Sequence, residues 1–290
     1  MAHYDVCVVG SANLDIVATA TRHPAPGETV LGTGYHEYPG GKGLNQAVAA
    51  ARSGARVAFV GALGDDAAAD LLRGVLAADE IDDRLSVTSD ATGRAVIVVD
   101  AAGENSIVVV AGANASVGID GGLPSSSVVL CQLEIPLATV DASFQAARAS
   151  GATTVLNPAP ATELPADLLA LCDVIVPNEH EVDLLGGVDE LVAAGCGAVV
   201  VTRGGHGVDI HTPAGTEHVA AFEVDVVDTT GAGDAFCGAL ATRLAAGEAL
   251  PDAARWAGAA GALATTVPGA VPAQPRADEI SALLVRHREG

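Results

Sequence analysis

Short runs of β-branched residues alternate with Ala- and Leu-rich segments of helical period along most of the chain. The near-continuous apolar character of the β-branched runs is typical of strands in a parallel sheet that is covered on both faces. They predict buried strands over Asp5–Val9, Val57–Val60, Val128–Leu130, Thr153–Leu156, Val174–Val176 and Ala198–Val201. The predicted helices are Leu44–Ser53, Ala67–Ala78, Leu137–Ala149, Leu164–Leu171, Glu179–Leu185, Ala232–Ala246, Pro251–Thr266 and Asp278–His287. This alternation predicts an α/β domain in which helices cross over a parallel sheet.

Two insertions, at about 12–39 and about 93–110, interrupt the alternation. Their strand-like pieces are Asp15–Thr19 and Thr29–Leu31 in the first insertion, and Arg94–Asp100 and Ser106–Val110 in the second. A Gly-containing turn between the last two pieces is typical of a hairpin. We expect the insertions to meet as a small separate sheet. It serves either as a lid over a site or as an extension that forms a dimer edge.

Composition and charge narrow the functional classes. Half of the 290 residues are hydrophobic, which excludes disorder as the main state of the chain. Acidic residues outnumber basic ones by 36 to 14, which gives a formal net charge of −22. A surface that negative repels phosphate backbones, so we do not expect nucleic-acid binding. The acidity suits either a solvated, self-repelling surface or a cytoplasm of high salt concentration.

We expect a cytoplasmic protein with reduced thiols and no membrane segment. No stretch approaches the roughly 20 consecutive apolar residues that span a bilayer. The first residues, MAHYDVCVVG, carry no basic region and no cleavage pattern, which predicts the absence of a secretory signal. The five cysteines are odd in number, widely separated and without a C-x-x-C pair, so buried free thiols are favoured over a zinc site.

The segment from Val226 to Phe236 carries the most informative pattern. An extended run ends at Gly231-Ala232-Gly233, and a predicted helix begins there with Asp234 in its first turn. Glycines let successive backbone N–H groups point at one spot, and a helix N-terminus adds free donors and a positive dipole end. This pattern predicts an anion site beside a carboxylate that accepts a proton from an attacking hydroxyl. The alternative is that Asp234 only caps the helix.

Two further segments carry polar residues suited to a polyhydroxy ligand. Pro39–Ala47 is a second glycine turn that runs into a helix, and it holds Lys42, the single lysine of the chain, and Asn45. Asn13 and Asp15 follow the first strand at positions i and i+2, which share one face of an extended chain. Such side chains suit vicinal hydroxyls. An ordinary helix start and a turn-forming Asx pair are the alternatives.

Together these segments resemble the two signatures of the ribokinase-like sugar kinases. The signature matches are Gly40-Gly41-Lys42-Gly43-x-Asn45 and Asp228-Thr229-x-Gly231-Ala232-Gly233-Asp234. Shorter matches are Gly10-Ser11-x-Asn13-x-Asp15, Pro26-Gly27-Glu28-Thr29, Gly64-Asp65-Asp66, Ala111-Gly112-Ala113-Asn114, Gln132-Leu133-Glu134, Asn157-Pro158-Ala159-Pro160, Pro177-Asn178-Glu179 and Thr202-Arg203-Gly204-Gly205-x-Gly207. The resemblance runs the whole length, and within the family the chain is most similar to members that phosphorylate ribose.

The resemblance implies a single Rossmann-like three-layer α/β/α domain over 1–290, with the two insertions as a small β lid. It also implies ATP-dependent phosphorylation of D-ribose at O5, and a homodimer joined through the lids. The implied catalytic residues are Asp234 as general base and Gly231, Ala232 and Gly233 as the anion hole. The implied sugar ligands are Asn13, Asp15, Gly41, Lys42, Asn45, Glu134 and Asp234. The implied nucleotide residues are Asn178, Thr202, Arg203, Gly204, Gly205, His206, Gly207 and Gly233.

The resemblance further implies two cations. Magnesium is associated with Glu181 of Asn178-Glu179-His180-Glu181, although an ordinary helix start with N-terminal acids explains this segment as well. A potassium ion is implied at Asp228, Thr230, Ala264, Val267, Gly269 and Ala273, mostly through backbone carbonyls.

Other functions remain open at this point. A relative with the same site plan acts on deoxyribose, fructose or another ketohexose, a nucleoside such as adenosine, or a sugar phosphate. Sugar phosphates demand extra basic residues, and Lys42 is the single base in the sugar segments. A nucleoside needs aromatic or apolar walls, and aromatic residues make up 3% of the chain. A non-catalytic sugar sensor on the same fold is the alternative of a different class.

Overall fold

The buried β-branched runs form the parallel part of a large mixed sheet. The structure is a computed structural model that describes residues 3–289. Its strands are β1 (Tyr4–Val9), β2 (Asn13–Ala20), β3 (Gly32–Gly40), β4 (Val57–Leu63), β5 (Asp82–Val87), β6 (Gly93–Val99), β7 (Asn105–Val110), β8 (Ser126–Cys131), β9 (Thr153–Leu156), β10 (Val174–Ile175), β11 (Ala198–Thr202), β12 (Val208–Thr212) and β13 (Gly215–Val219). Its helices are α1 (Lys42–Arg52), α2 (Ala67–Ala78), α3 (Leu137–Ser150), α4 (Ala166–Leu169), α5 (Glu179–Leu184), α6 (Val188–Ala193), α7 (Ala232–Ala245), α8 (Leu250–Ala264) and α9 (Ala277–Glu289).

Within residues 3–289 the large sheet has nine strands in the order β13-β12-β11-β10-β9-β8-β1-β4-β5. The seven strands from β11 to β5 pair in parallel, and β12 and β13 add an antiparallel hairpin at one edge. The predicted α/β architecture is therefore confirmed, with an antiparallel edge that the strand pattern did not indicate. β1 has β4 on one side and β8 on the other, so the strand order reverses at β1. Such a reversal opens a crevice at the carboxyl ends of these strands.

Two apolar layers cover the two faces of the large sheet. On one face, side chains of α1 and α7 such as Leu44, Val48 and Leu240 pack with Phe59 of β4 in one core cluster. On the other face, Phe144 of α3 packs with residues such as Cys131 and Leu156. The result is the expected three-layer order of helices, sheet and helices. All five cysteines of the chain lie within the described residues, and each is a buried free thiol.

The two insertions pair with each other in a second, small sheet. Among the described residues this sheet has four strands in the order β3-β2-β6-β7, with β2 and β6 parallel and the two outer pairs antiparallel. The large sheet leads directly into it, because β2 begins four residues after the end of β1. The small sheet therefore stands next to the carboxyl end of β1.

Several local predictions are wrong or incomplete. The strand expected over Thr29–Leu31 is wrong, since β3 runs from Gly32 to Gly40. Three glycines and a proline give this segment a poor strand propensity, and its pairing with β2 overrides that propensity. The helix expected over Leu164–Leu171 is shorter, Ala166–Leu169; it starts later because Pro165 disfavours helical backbone at Leu164.

The sequence pattern also missed β5, the β12–β13 hairpin and α6, all short and part-exposed. In the part of the chain that the structure describes, no helix has both the length and the apolar character needed to cross a bilayer.

Candidate active site

The two glycine turns lie far apart in sequence but meet at the crevice of the large sheet. α1 and α7 begin there, and strands β9, β10 and β11 end beside them. Together they enclose a cavity of about 210 Å³. Its lining includes Lys42, Asn157, Asn178, Glu181, Thr202, Gly231, Gly233 and Asp234. Residues predicted for sugar, nucleotide, magnesium and catalysis therefore share one cavity.

Asp234 lies in the first turn of α7, at the floor of this cavity. It is 7% exposed. One carboxylate oxygen accepts a hydrogen bond from Asn45 Nδ2 at 2.9 Å, and the other accepts one from Gln46 Nε2 at 2.9 Å. Gly231 is the N-cap residue of α7, and no side chain caps this helix end. Asp234 is therefore held by α1 and is not the capping acid of its own helix.

Just before α7, the backbone of Gly231 lies very close to the backbone of Ala270. Its φ of 76° lies in the left-handed region, and a Cβ built there would lie 2.9 Å from the Cα of Ala270. Any side chain would therefore strain the turn and push away the loop that contains Ala270. With glycine in place, the free N–H groups and dipole of α7 face the cavity beside Asp234.

Charge in the cavity is balanced around Lys42. Burial raises the pKa of Asp234, and the Glu134 carboxylate adds to this, while Lys42, Asn45 and Gln46 lower it; the net direction is upward. Burial lowers the pKa of Lys42, but Asp234, Glu134 and Glu181 raise it more, so the ammonium stays charged. A carboxylate with a raised pKa is a stronger base, and the fixed positive charge of Lys42 beside it favours its ionised form, so Asp234 suits proton acceptance.

The predicted sugar ligands cluster where β1 leads into the small sheet. Burial, Glu134 and Asp234 raise the pKa of Asp15 to about 7, so these three carboxylates influence one another. Glu134 Oε2 accepts hydrogen bonds from Ser11 Oγ at 2.5 Å and from the Lys42 backbone N–H at 3.1 Å. Glu134 thus anchors the start of α1 beside Asp15.

Asn13 is oriented by Asn114, a buried residue that follows the second insertion. Asn114 Nδ2 donates to Asn13 Oδ1 at 2.7 Å, and Asn114 Oδ1 accepts from the Ala12 N–H at 3.0 Å. Because the Asn13 carbonyl is occupied, its amide N–H groups are left for a ligand. The carbonyl Oδ1 of Asn45 is buried without a partner among the described residues. Orphaned amide groups of this kind fit a ligand rich in hydroxyls.

A second cavity of about 240 Å³ adjoins the first. Thr202 and Gly233 line both cavities, so a ligand can extend from one to the other. The second cavity is mainly apolar. Its walls include Gly204, Gly205, Gly207, Phe222, Val224, Phe236 and Gly258. An apolar slot that opens beside a helix N-terminus suits a purine base with its phosphates at α7.

Two of the residues expected at the nucleotide are placed differently. The Arg203 guanidinium donates to Glu179 at 3.0 Å and to Asp209 at 2.7 Å. Neither Arg203 nor His206 lines either cavity in the described part of the chain. Asn178 caps α5: its Oδ1 accepts from the Glu181 N–H at 2.8 Å, and Glu181 Oε2 accepts from the Asn178 N–H at 2.9 Å. The helix-start explanation of this segment therefore holds, while both side chains still line the first cavity.

The surroundings of Glu181 and Asp228 are compatible with the two implied cations. No cluster of three metal-ligating side chains exists among the described residues, so magnesium would need oxygen ligands from water and phosphate besides Glu181. Asp228 accepts from the Thr230 N–H at 2.9 Å and the Gly269 N–H at 2.8 Å, and it thereby joins the two loops of the implied potassium site. Across residues 3–289, the carbonyl oxygens of Val267 and Gly269 accept no hydrogen bond. Free carbonyls suit a monovalent cation, whereas Ala273 packs in a small apolar cluster with Ala235 and Ala264.

The sequence pattern did not single out Gln46, Gln132, Asn157 and Asn114 as functional. Gln46 follows Asn45 directly, and Gln132 and Asn157 directly follow β8 and β9. The polar position after a buried parallel strand is a signal that indicates such residues, because these strand ends face the crevice.

Comparison with known proteins places this geometry in a family. The model for the pfkB family of carbohydrate kinases matches residues 4–277. The ribokinase of Staphylococcus aureus is 36% identical over 298 residues, which cover 95% of this chain and 98% of that protein. The bifunctional ribokinase/ribose-5-phosphate isomerase A of Fructilactobacillus sanfranciscensis is 39% identical over 82% of this chain, and the match spans only 48% of that longer protein.

Solved structures show the same fold. The crystal structure of ribokinase from Thermotoga maritima superposes with a TM-score of 0.90 at 33% identity, covering 97% of this chain and 99% of that one. Arabidopsis thaliana ribokinase complexed with ribose and ATP superposes with a TM-score of 0.87 at 30% identity, covering 98% and 99%.

Proposed function

This chain belongs to the pfkB family of carbohydrate kinases and is an enzyme of the ribokinase type, and we propose that it transfers the γ-phosphoryl group of ATP to O5 of D-ribose. The observation that carries this proposal is the buried Asp234, which lies at the N-terminus of α7 where a polar cavity meets an apolar one. The Arabidopsis relative, described in complex with ribose and ATP, supports the choice of both substrates.

The polar cavity supplies the sugar contacts. Ionised Asp15 accepts hydrogen bonds from vicinal hydroxyls, and the Asn13 amide donates to them. The orphaned Asn45 Oδ1 accepts a further hydroxyl. These contacts bring the primary hydroxyl to Asp234, and such positioning accounts for much of the rate in phosphoryl transfer.

Asp234 then takes the proton from the 5-hydroxyl as that oxygen attacks the γ-phosphorus. Negative charge on the transferring group is stabilised by the free N–H groups at the start of α7, such as that of Gly233, by the dipole of α7 and by Lys42; the Ala232 N–H already donates to the Thr229 carbonyl at 3.3 Å. Because Lys42, Gly231 and Gly233 line the same cavity, these groups would need little rearrangement during the reaction. ADP leaves through the apolar cavity, whose walls hold the base.

Two cations complete the proposal. Glu181 would hold magnesium through water, and the Asp228 and Val267–Gly269 loops would hold potassium through backbone carbonyls. When bound, these ions neutralise phosphate charge and stiffen the anion hole. Because ATP is the phosphoryl donor, we also place the reaction in the cytoplasm.

We assign the small sheet the role of a lid and of a dimer contact. On its edge strand β7, Ile107, Val108, Val109 and Val110 are all more than half exposed, so apolar side chains point outward on both faces. One face suits the bound sugar and the other a second copy of this chain. On addition of ribose, hydrogen exchange should slow in both insertions together, and sedimentation should give a dimer at micromolar concentration. Protection of one insertion alone, or a monomer, contradicts this role.

The central test is ADP release measured by a coupled assay across pentoses, hexoses, nucleosides and sugar phosphates. We expect the highest kcat/KM with D-ribose. Turnover of 2-deoxyribose at the same kcat/KM would show that the 2-hydroxyl is not recognised. A preference for a hexose or a nucleoside, or no turnover with any of them, refutes the proposed substrate.

A further inference from the structure

A chain of buried amides runs through the crevice behind Asp234. Gln46 on α1 has no exposed surface, and its Nε2 donates both to Asp234 Oδ1 at 2.9 Å and to Asn157 Oδ1 at 3.0 Å. Its Oε1 accepts from Gln132 Nε2 at 2.6 Å. Asn157 Nδ2 in turn donates to the backbone carbonyl of Val176 at 3.0 Å. The chain of contacts thus runs from the end of β10 to the carboxylate in the cavity.

The direction of every amide in this chain is determined by the Val176 carbonyl. A carbonyl can only accept, so the Asn157 amide must turn its N–H group to Val176 and its oxygen to Gln46. Gln46 must then present N–H groups to Asn157 and Asp234, and its oxygen to Gln132. No member can rotate without placing two donors or two acceptors against each other in a buried site, which is costly. The donor that faces Asp234 is therefore held in place.

We propose that Gln46 is a positioning residue, whose amide, oriented by Asn157 and Val176, holds the Asp234 carboxylate in the orientation and protonation state that phosphoryl transfer needs. This inference rests on the proposed function, because it assumes that Asp234 takes the proton from the sugar hydroxyl. The hydrogen bond from Gln46 lowers the pKa of Asp234 against the effect of burial. Gln46 donates to Oδ1 while Asn45 donates to Oδ2, so the two amides together fix the plane of the Asp234 carboxylate beside the cavity.

The test compares Gln46→Met, which keeps the length of the side chain but removes its N–H donor, with Gln46→Glu. Loss of a hydrogen bond to a charged group should lower kcat with ribose about 10- to 100-fold. Because the lost donor favoured the ionised form, the acid limb of the kcat–pH profile should move upward by roughly one pH unit. Gln46→Glu places a second carboxyl group next to Asp234, so it should move the acid limb in the same direction. KM for ribose should change little in either variant.

A matched control is Thr154→Val, which removes another fully buried donor, the Thr154 hydroxyl that donates to the Leu171 carbonyl at 2.5 Å. It should lower the melting temperature without moving the kcat–pH profile. If Gln46→Met behaves like this control, with a lower melting temperature and an unchanged profile, the role of Gln46 is structural and the inference is wrong. If Gln46→Met does not fold, Gln46→Glu decides by the same profile. A wild-type enzyme that does not phosphorylate any sugar contradicts the proposed function instead, so the two failures are distinguishable.

Discussion

We predict that Asp15 makes ribose binding sensitive to pH in the neutral range. Its carboxyl group is raised to a pKa of about 7 by burial first, and then by the nearby Glu134 and Asp234 carboxylates. The ionised form accepts on both oxygens and carries a full negative charge, whereas protonation turns one of these oxygens into a donor and weakens acceptance from the sugar hydroxyls. The affinity for ribose is therefore highest well above pH 7, where Asp15 is ionised, and it falls as the pH falls through that value.

The magnitude follows from the ionised fraction. With a pKa of about 7, the apparent dissociation constant is multiplied by about 1.1 at pH 8 and by about 11 at pH 6, a change of about tenfold. Calorimetric titration with ribose in the absence of ATP measures this change without turnover. Asp15→Asn, which cannot ionise, should bind ribose more weakly at pH 8 and with little further loss at pH 6. In the Asp234→Asn variant, the midpoint of the change in ribose affinity should lie at lower pH than in the wild type, because one of the charges that raises the pKa of Asp15 is removed.

A wild-type dissociation constant that changes less than about twofold between pH 8 and pH 6 refutes the reasoning, since it would mean that Asp15 is ionised throughout or does not contact the sugar. A full tenfold loss that persists in Asp15→Asn would assign the effect to another group.

Three further predictions concern the same site. Asp234→Asn removes the proton acceptor but keeps its shape, so kcat should fall about 10²- to 10⁴-fold while calorimetric ribose binding survives at pH 8; near-wild-type turnover would exclude Asp234 as the base. Replacing potassium by sodium at constant ionic strength should lower kcat several-fold in the wild type and less in Asp228→Ala, and an equal rate in both salts argues against a potassium site. A Cβ on residue 40 would lie 2.1 Å from Asp15 Oδ2, so Gly40→Ala should displace that carboxylate and weaken ribose binding about 10- to 100-fold. Gly74→Ala is its control, because a Cβ there meets no atom within 4 Å.

Local sequence pattern determined most of the large sheet and its helices. The strand Thr153–Leu156 and the helix Ala67–Ala78 agree with the structure at both ends. Apolar periodicity reports which face of a segment is buried, and that depends on neighbours within a few residues. For the same reason the glycine turn at Gly231 predicted the start of α7 at Ala232, and the turn at Gly40 predicted that of α1 to within two residues, since a turn and the helix after it form one local unit.

Only the tertiary structure decided the elements that depend on distant partners. β3 has a sequence poor in strand formers and exists because it pairs with β2 along its whole length. Arg203 belongs to a glycine-rich turn that the resemblance assigned to the nucleotide, yet Glu179 and Asp209 hold its guanidinium. Local patterns carry no information on such cross-chain partners.

The candidate site shows the same division. The residue types at Asn45 and Asp234 were recognisable from their segments, but 189 positions separate them, and only the fold brings them within 2.9 Å. Gln46 carried no signal of its own beside them. Its importance arises from the Val176 carbonyl, which orients Asn157 and through it Gln46, and a buried hydrogen-bond direction of this kind exists only once the strands and helices have packed.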